Sequence, residues 1–387
     1  MTVSFGLRKS FLSSYLVNQP LLMTGVVSLR SYSTRIEHKG YQDLIKNSEW
    51  EIIDRICQSE LKCSAQTLFP NHGNEVFPQH IRQMLSRINE VTTFPFTSFE
   101  RKEDDACAIY FKENETFVNL PYGHNVTSWI DRNAVQELIR SNFTKLFHPE
   151  DLVVIPGCAE GQIPIEVAAH SIMHDCPLQI VASDYNVTAM NIGYLTMKSY
   201  GIDPSRVSWV QSDVTKKSFF QSIYSTYPSR TIHKIVTLVQ PCLKENALLS
   251  FLMNSSLMSN KQGVQSTLIM PVLLMDENSG WYKRCNGLVN TALDQAKKNK
   301  SPPHLIWQEQ KYGVEFLKLS DKSYVPLQYF VYPWSIKELQ EESGFHNATF
   351  EDLDISGPFH EETGGFQILE GISKRVICMW DSGKPQA

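Results

Sequence analysis

From residue 151 onward, short runs of β-branched apolar residues alternate with longer amphipathic stretches. The pattern predicts strands at residues 152–155, 179–182, 207–211, 233–238 and 266–273, with helices over 163–173, 187–200, 217–224 and 244–258 between them. Strand and helix in strict alternation are the signature of parallel βαβ units. Because each crossover between parallel strands is right-handed, four in succession imply an α/β doubly wound, mostly parallel sheet with helices on both faces.

The two flanks depart from this rhythm. Ser335 is placed to cap a helix over the sequence IKELQEES, with Glu338 completing a capping box and Gly344 stopping it. Strands are expected at 348–355 and 375–380, separated by a stretch holding Gly357, Gly364, Gly365 and Gly371. Ahead of the sheet, residues 36–148 read as a helical N-terminal region or cap, with helical patterns at 41–56, 81–91 and 133–146 and a short hairpin near 108–120. The main domain then runs over 149–387, interrupted by an insertion at about 275–331 before the last helix. That insertion is rich in large aromatics, among them Trp281, Tyr282, Trp307, Tyr312, Phe316, Tyr324, Tyr329 and Phe330. They suit either a lid over a ligand site or the ordinary core of an added subdomain.

Composition narrows the functional classes. A chain of 387 residues, 42% hydrophobic and 20% charged, can bury a sizeable core. Its net charge of −5 gives no general basic footprint for nucleic acid. The eight cysteines are scattered without a CxxC pair or metal-ligand spacing, so no metal site is expected. Residues 1–36 contain no acid but carry Arg8, Lys9, Arg30 and Arg35 among Ser, Leu and Tyr. This composition predicts a mitochondrial transit peptide over about 1–35 and a matrix location, with a secretory signal or a disordered extension as alternatives. No apolar run is long enough to cross a bilayer.

The chemistry concentrates at the ends of the first three predicted strands. Gly157-Cys158-Ala159-Glu160-Gly161 forms a small-residue turn into a helix, where backbone amides can approach a ligand. Asp184, after the second strand and followed by Tyr185, is placed to accept ribose hydroxyls. Asp213, followed by Val214, ends the third strand. Taken singly, these are an ordinary turn and two helix caps.

Taken together, five parallel strands, a helix ending in Gly-Phe and a final strand pair resemble the class I S-adenosylmethionine-dependent methyltransferases, a Rossmann-like family. The resemblance implies a seven-stranded sheet with an antiparallel last strand and S-adenosyl-L-methionine as cofactor. It also implies a binding set of Gly157, Cys158, Ala159, Gly161, Asp184, Tyr185, Asp213 and Val214, with Asp213 meeting the adenine amino group and Val214 its ring. Two departures stand out: Ala159 replaces the usual middle glycine, and Ile155 and Pro156 stand where the family carries an acid and its neighbour. The competing NAD fingerprint needs a small residue where Gln162 stands and gives Asp213 no special use.

The segment Leu238-Val239-Gln240-Pro241-Cys242, after the fourth strand, lacks the aromatic signature of amino-methylating enzymes that act on nucleic acid. Cys242 after Pro241 is read as structural rather than nucleophilic. His304, His346 and His360 are candidate bases, and the catalytic residues are left open. The expected activity is methyl transfer to a small-molecule or lipid-like acceptor. A methyltransferase-fold assembly or binding factor without catalysis, and an RNA methyltransferase, are the alternatives.

Overall fold

The computed structural model describes residues 39–44, 49–68, 124–159, 161–184, 187–227, 232–238, 243–260, 266–275, 277–278, 280–320, 323–352 and 375–382. The predicted leader, the helix at 81–91, the hairpin at 108–120 and the glycine-rich stretch after residue 352 lie outside the described residues.

In chain order the helices are α1 (39–44), α2 (Glu49–Ile56), α3 (Ala65–Leu68), α4 (His124–Leu146), α5 (Gln162–Met173), α6 (Val187–Ser199), α7 (Lys217–Thr226), α8 (Glu245–Asn260), α9 (Gly280–Asn299) and α10 (Ile336–Glu342). The strands are β1 (Leu152–Pro156), β2 (Gln179–Asp184), β3 (Val207–Gln211), β4 (Ile232–Val236), β5 (Thr267–Leu273), β6 (Leu305–Glu309), β7 (Gly313–Ser320), β8 (Ser323–Val331), β9 (Asn347–Asp352) and β10 (Arg375–Asp381).

Seven strands form one sheet in the order β3-β2-β1-β4-β5-β10-β9. The first five are parallel, and β10 enters antiparallel between β5 and β9. The order reverses at β1, so the crevice outside the carboxyl ends of β1 and its neighbours is where an open α/β sheet takes a ligand.

Alternation along each strand supplies both faces. Leu152 and Val154 of β1 point to a cluster completed by Phe219, Phe220 and Ile223 of α7 and Leu248, Phe251 and Leu252 of α8. Val153 and Ile155 point the other way, into a cluster with Tyr41 of α1, Ile139 and Phe143 of α4, and Val167 and Ala168 of α5. A period of two therefore builds a three-layer sandwich from one uninterrupted apolar strand.

The insertion folds as α9 followed by a separate antiparallel sheet, β6-β7-β8. Tyr282 stacks on Trp307 at 5.6 Å, Trp307 meets Phe316 edge-on at 5.5 Å, and Phe316 contacts Phe330 at 5.2 Å. This column lies between α9 and the sheet, and Tyr312 and Tyr329 belong to the main core. These aromatics are used for packing. Among the described residues no helix is long and apolar enough to cross a membrane.

One terminal signal is corrected. Ser335 does not cap α10 with its side chain; residues Pro333–Ser335 form a 3-10 turn, Ser335 has helical dihedrals of −90° and −9°, and the hydroxyl makes no cap bond. Proline at the first position of that turn starts the helical geometry early and leaves no extended N-cap for the box to use. Gly344 does end the helix, at φ +84°, and the Phe345 amide reaches back to the Gln340 carbonyl at 3.2 Å.

Candidate cofactor site

β1 ends in a turn with three residues at positive φ: Gly157 at 66°, Ala159 at 46° and Gly161 at 79°. Holding alanine in the left-handed region costs about 1 kcal/mol or more, so something must fix Ala159 there. That group is Asp184, whose Oδ2 accepts the Ala159 amide at 2.8 Å. The Cys158 amide donates to the Ser183 carbonyl at 2.9 Å, and the Gly161 amide to the Cys158 carbonyl at 2.9 Å. The first turn is thus hung on the end of β2.

The third strand joins the same knot. The Ser212 amide donates to the Asp184 carbonyl at 3.1 Å, and the Ser183 and Ser212 hydroxyls lie 2.6 Å apart. From β4, the Thr237 hydroxyl donates to the Pro156 carbonyl at 2.8 Å. Gly161, Asp184 and Asp213 therefore come from three loops stitched to one another at the carboxyl edge.

Asp213 is 5% exposed. Its Oδ1 accepts the Thr215 amide at 2.9 Å and the Thr215 hydroxyl at 2.6 Å, closing an Asx turn. The helix-cap reading is corrected by this, because α7 begins after Lys216 and takes no side-chain cap. Asp213 Oδ2 is buried with no hydrogen-bond partner among the described residues. A buried acceptor without a donor carries an unmet desolvation cost of about 1–3 kcal/mol.

The remaining predicted residues fall as follows. Tyr185, Glu160 and the segment Val239 to Cys242 lie outside the described residues. Cys158 is 5% exposed and its side chain belongs to the core beside α5, so only its backbone faces the turn. Val214, 9% exposed, packs with Phe219 in the opposite core layer. His304 and His346 are both exposed. His346 precedes β9 and donates its amide to the Asp381 carbonyl, at the end of β10 paired with the start of β5. That is the amino edge of the sheet, opposite the loops just described. His360 lies outside the described residues.

Gly161 also meets a packing demand that the turn alone does not express. A Cβ at this position would sit 2.7 Å from Trp209 Cη2 and 3.0 Å from Gly193 Cα, so the indole of β3 and the backbone of α6 fill the space. Gly161→Ala, combining left-handed strain with overpacking, is expected to destabilise the protein by about 2–4 kcal/mol. Urea unfolding measures this, and a change below about 0.5 kcal/mol, the size of a neutral surface substitution, would show that the site relaxes freely.

Behind the turn stands a polar network that the sequence patterns did not reveal. Glu166 of α5, 3% exposed, receives Arg140 from α4 in a bidentate pair, Nε to Oε1 at 2.7 Å and Nη2 to Oε2 at 2.9 Å. The Tyr41 hydroxyl of α1 donates to Oε1 at 3.0 Å, Gln136 Nε2 donates to Oε2 at 3.2 Å, and His170 Nε2 lies 3.0 Å from Oε1. Burial alone would raise the Glu166 pKa, but hydrogen bonds from His170 and Arg140 overcome it and hold the carboxyl at about 2. The one-turn spacings of Glu166 with His170 and of Gln136 with Arg140 are its traces in the sequence.

The strand order, with an antiparallel strand slotted beside the fifth, decides the architecture. The chain has a doubly wound, Rossmann-like sheet of seven strands with β10 antiparallel between β5 and β9, the architecture that the resemblance implied. No family model and no curated protein matches its sequence. Solved structures similar to this fold include a SAM-dependent methyltransferase from Archaeoglobus fulgidus, 13% identical, covering 65% of this chain and 94% of its own, with a TM-score of 0.35. A magnesium protoporphyrin IX methyltransferase from Synechocystis with bound SAH is 12% identical, covering 70% and 90%, with a TM-score of 0.37. The CurJ carbon methyltransferase is 11% identical, covering 94% and 95%, with a TM-score of 0.40. At such identities and scores these likenesses do not by themselves assign a function to the chain.

Proposed function

We propose that this protein binds S-adenosyl-L-methionine at the carboxyl edge of β1, β2 and β3 and transfers its methyl group to a small-molecule or lipid-like acceptor. The observation that carries the reading is the buried Oδ2 of Asp213, without a partner among the described residues and one loop from the Asp184 carboxylate that pins the glycine turn. The adenine amino group is a donor that would satisfy the first, and ribose hydroxyls are donors that suit the second. Residues present therefore fit an adenosyl group.

In this reading the cofactor supplies an already activated methyl group on a sulfonium. The chain's own work is binding and alignment. The left-handed turn at Gly157 to Gly161 brings backbone close to the ligand, and Asp184 fixes the turn while meeting the ribose. Asp213 Oδ2 accepts from the adenine edge, its other oxygen being already committed to Thr215.

The insertion and the helical N-terminal region are the candidates for acceptor recognition, and the net charge of −5 argues against a nucleic acid acceptor. The N-terminal composition supports a mitochondrial location. One observation favours the second reading, a binding factor without catalysis: Ile155 and Pro156 are both buried apolar residues, leaving no carboxylate at the end of β1.

Calorimetric titration with S-adenosylmethionine separates the two. Saturable one-to-one binding, followed by methyl transfer from labelled cofactor to an acceptor, supports the enzyme. A folded protein that takes up no cofactor removes the enzymatic reading.

A further inference from the structure

One clamp between the insertion and the main domain is built on Glu245 and the end of β5. Glu245, the first residue of α8, accepts the Lys311 amide at 3.0 Å, the Tyr312 amide at 2.8 Å and the Tyr329 hydroxyl at 2.5 Å. At the carboxyl end of β5, Leu274 bridges Val331, and the Met275 amide donates to the Val331 carbonyl at 2.8 Å. These contacts hold the start of β7 and the end of β8 between the first turn of α8 and the end of β5. This is the carboxyl edge on the β4-β5 side, next to the cofactor loops of β1 to β3.

Glu315 lies on that stretch of β7, opposite Tyr329 of β8. It is 6% exposed, its Oε2 takes only a long bond from Gln310 Nε2 at 3.3 Å, and its Oε1 has no partner among the described residues. The charges acting on it are Glu245, which already accepts three hydrogen bonds, and Lys244. Burial first, then Glu245, raises the Glu315 pKa, with Lys244 and Gln310 acting the other way. Two acids against one lysine, with a buried acceptor lacking a donor, form a local environment completed by a cationic donor.

We propose that Glu315 is a recognition residue for a basic nitrogen carried by the methyl acceptor, an inference that rests on the methyl-transfer reading above. An ammonium or amino group at Glu315 Oε1 supplies the missing donor and pairs with the carboxylate. The residue binds and orients the acceptor, and the methyl-accepting atom need not be that nitrogen.

The test compares dissociation constants for benzylammonium, benzyl alcohol and benzoate at neutral pH, with saturating S-adenosylhomocysteine, in the wild type, Glu315→Gln and Glu315→Met. The wild type is expected to bind benzylammonium more tightly than benzyl alcohol and to reject benzoate. Losing one charge-assisted bond in Glu315→Gln is expected to weaken benzylammonium about tenfold or more and to leave benzyl alcohol unchanged. Glu315→Met keeps the fold, since an apolar side chain of similar volume relieves a buried, unsatisfied acid. Equal benzylammonium affinity in wild type and Glu315→Gln, or no preference for it over benzyl alcohol in the wild type, overturns the proposal. S-adenosylhomocysteine affinity is expected to be unchanged in both variants. Should the wild type fail to bind S-adenosylhomocysteine, the methyl-transfer reading falls, while the amine comparison run without it still decides the role of Glu315.

Discussion

Asp184→Asn is expected to weaken S-adenosylmethionine binding about 10- to 100-fold, the equivalent of the charge in one charge-assisted contact, without unfolding the protein. Asparagine keeps an oxygen that can accept the Ala159 amide, so the turn between Gly157 and Gly161 retains its anchor. What it loses is the negative charge that the proposed function assigns to the ribose hydroxyls. Asp213→Asn acts differently: one amide oxygen can still serve Thr215, but the amide nitrogen then presents a donor where the adenine amino group needs an acceptor. A loss of about tenfold or more is expected, and the double variant should bind too weakly to saturate. Calorimetry reads each value. Wild-type affinity in both single variants would mean that these carboxylates serve only the loops.

A stability effect as large as that of Gly161→Ala is expected at Glu166, outside the cofactor loops. Glu166→Ala removes the acceptor shared by Arg140, Tyr41, Gln136 and His170 and should destabilise the protein by about 2–4 kcal/mol. The upper end of the range is restrained because the Arg140 side chain is 41% exposed and can turn to water. The pH dependence has a definite sign. A carboxyl held at about 2 in the folded state and near 4.5 when unfolded contributes stability that is fully present above about 4.5 and is lost as pH falls toward about 2. Urea midpoints measured across that window should fall steeply in the wild type and more gently in Glu166→Gln. Parallel slopes would place the acid sensitivity elsewhere.

The two regions differ in how much of them the sequence disclosed, and the reason is physical. The five parallel strands were legible because buried parallel strands are unbroken apolar runs bounded by turns, as in LVVIP and TLIMPVL. The acids at the ends of β2 and β3 were legible because a strand ending in a carboxylate repeats twice at βαβ spacing. What the acids do was only partly legible. The bond from Ala159 to Asp184 joins residues 25 apart, and the space that Gly161 leaves is filled by Trp209 from another strand. Neither relation has a local signal.

The insertion was harder still. Its aromatics do not say whether they cover a ligand or fill a core, and the column from Tyr282 to Phe330 shows them filling one. Ser335 misled because the proline turn before it takes up helical geometry, a choice that residue preferences at one position cannot express. Glu166 and Glu315 are ordinary letters in an amphipathic pattern. Only the three-dimensional structure shows one with five partnered contacts and the other with an oxygen left over among the described residues.

A crystal structure with S-adenosylhomocysteine tests the central claim most directly. The account predicts the adenine amino nitrogen within hydrogen-bonding distance of Asp213 Oδ2 and a ribose hydroxyl within the same distance of the Asp184 carboxylate. The nucleoside bound elsewhere, or those two carboxylates turned away from it, would contradict it.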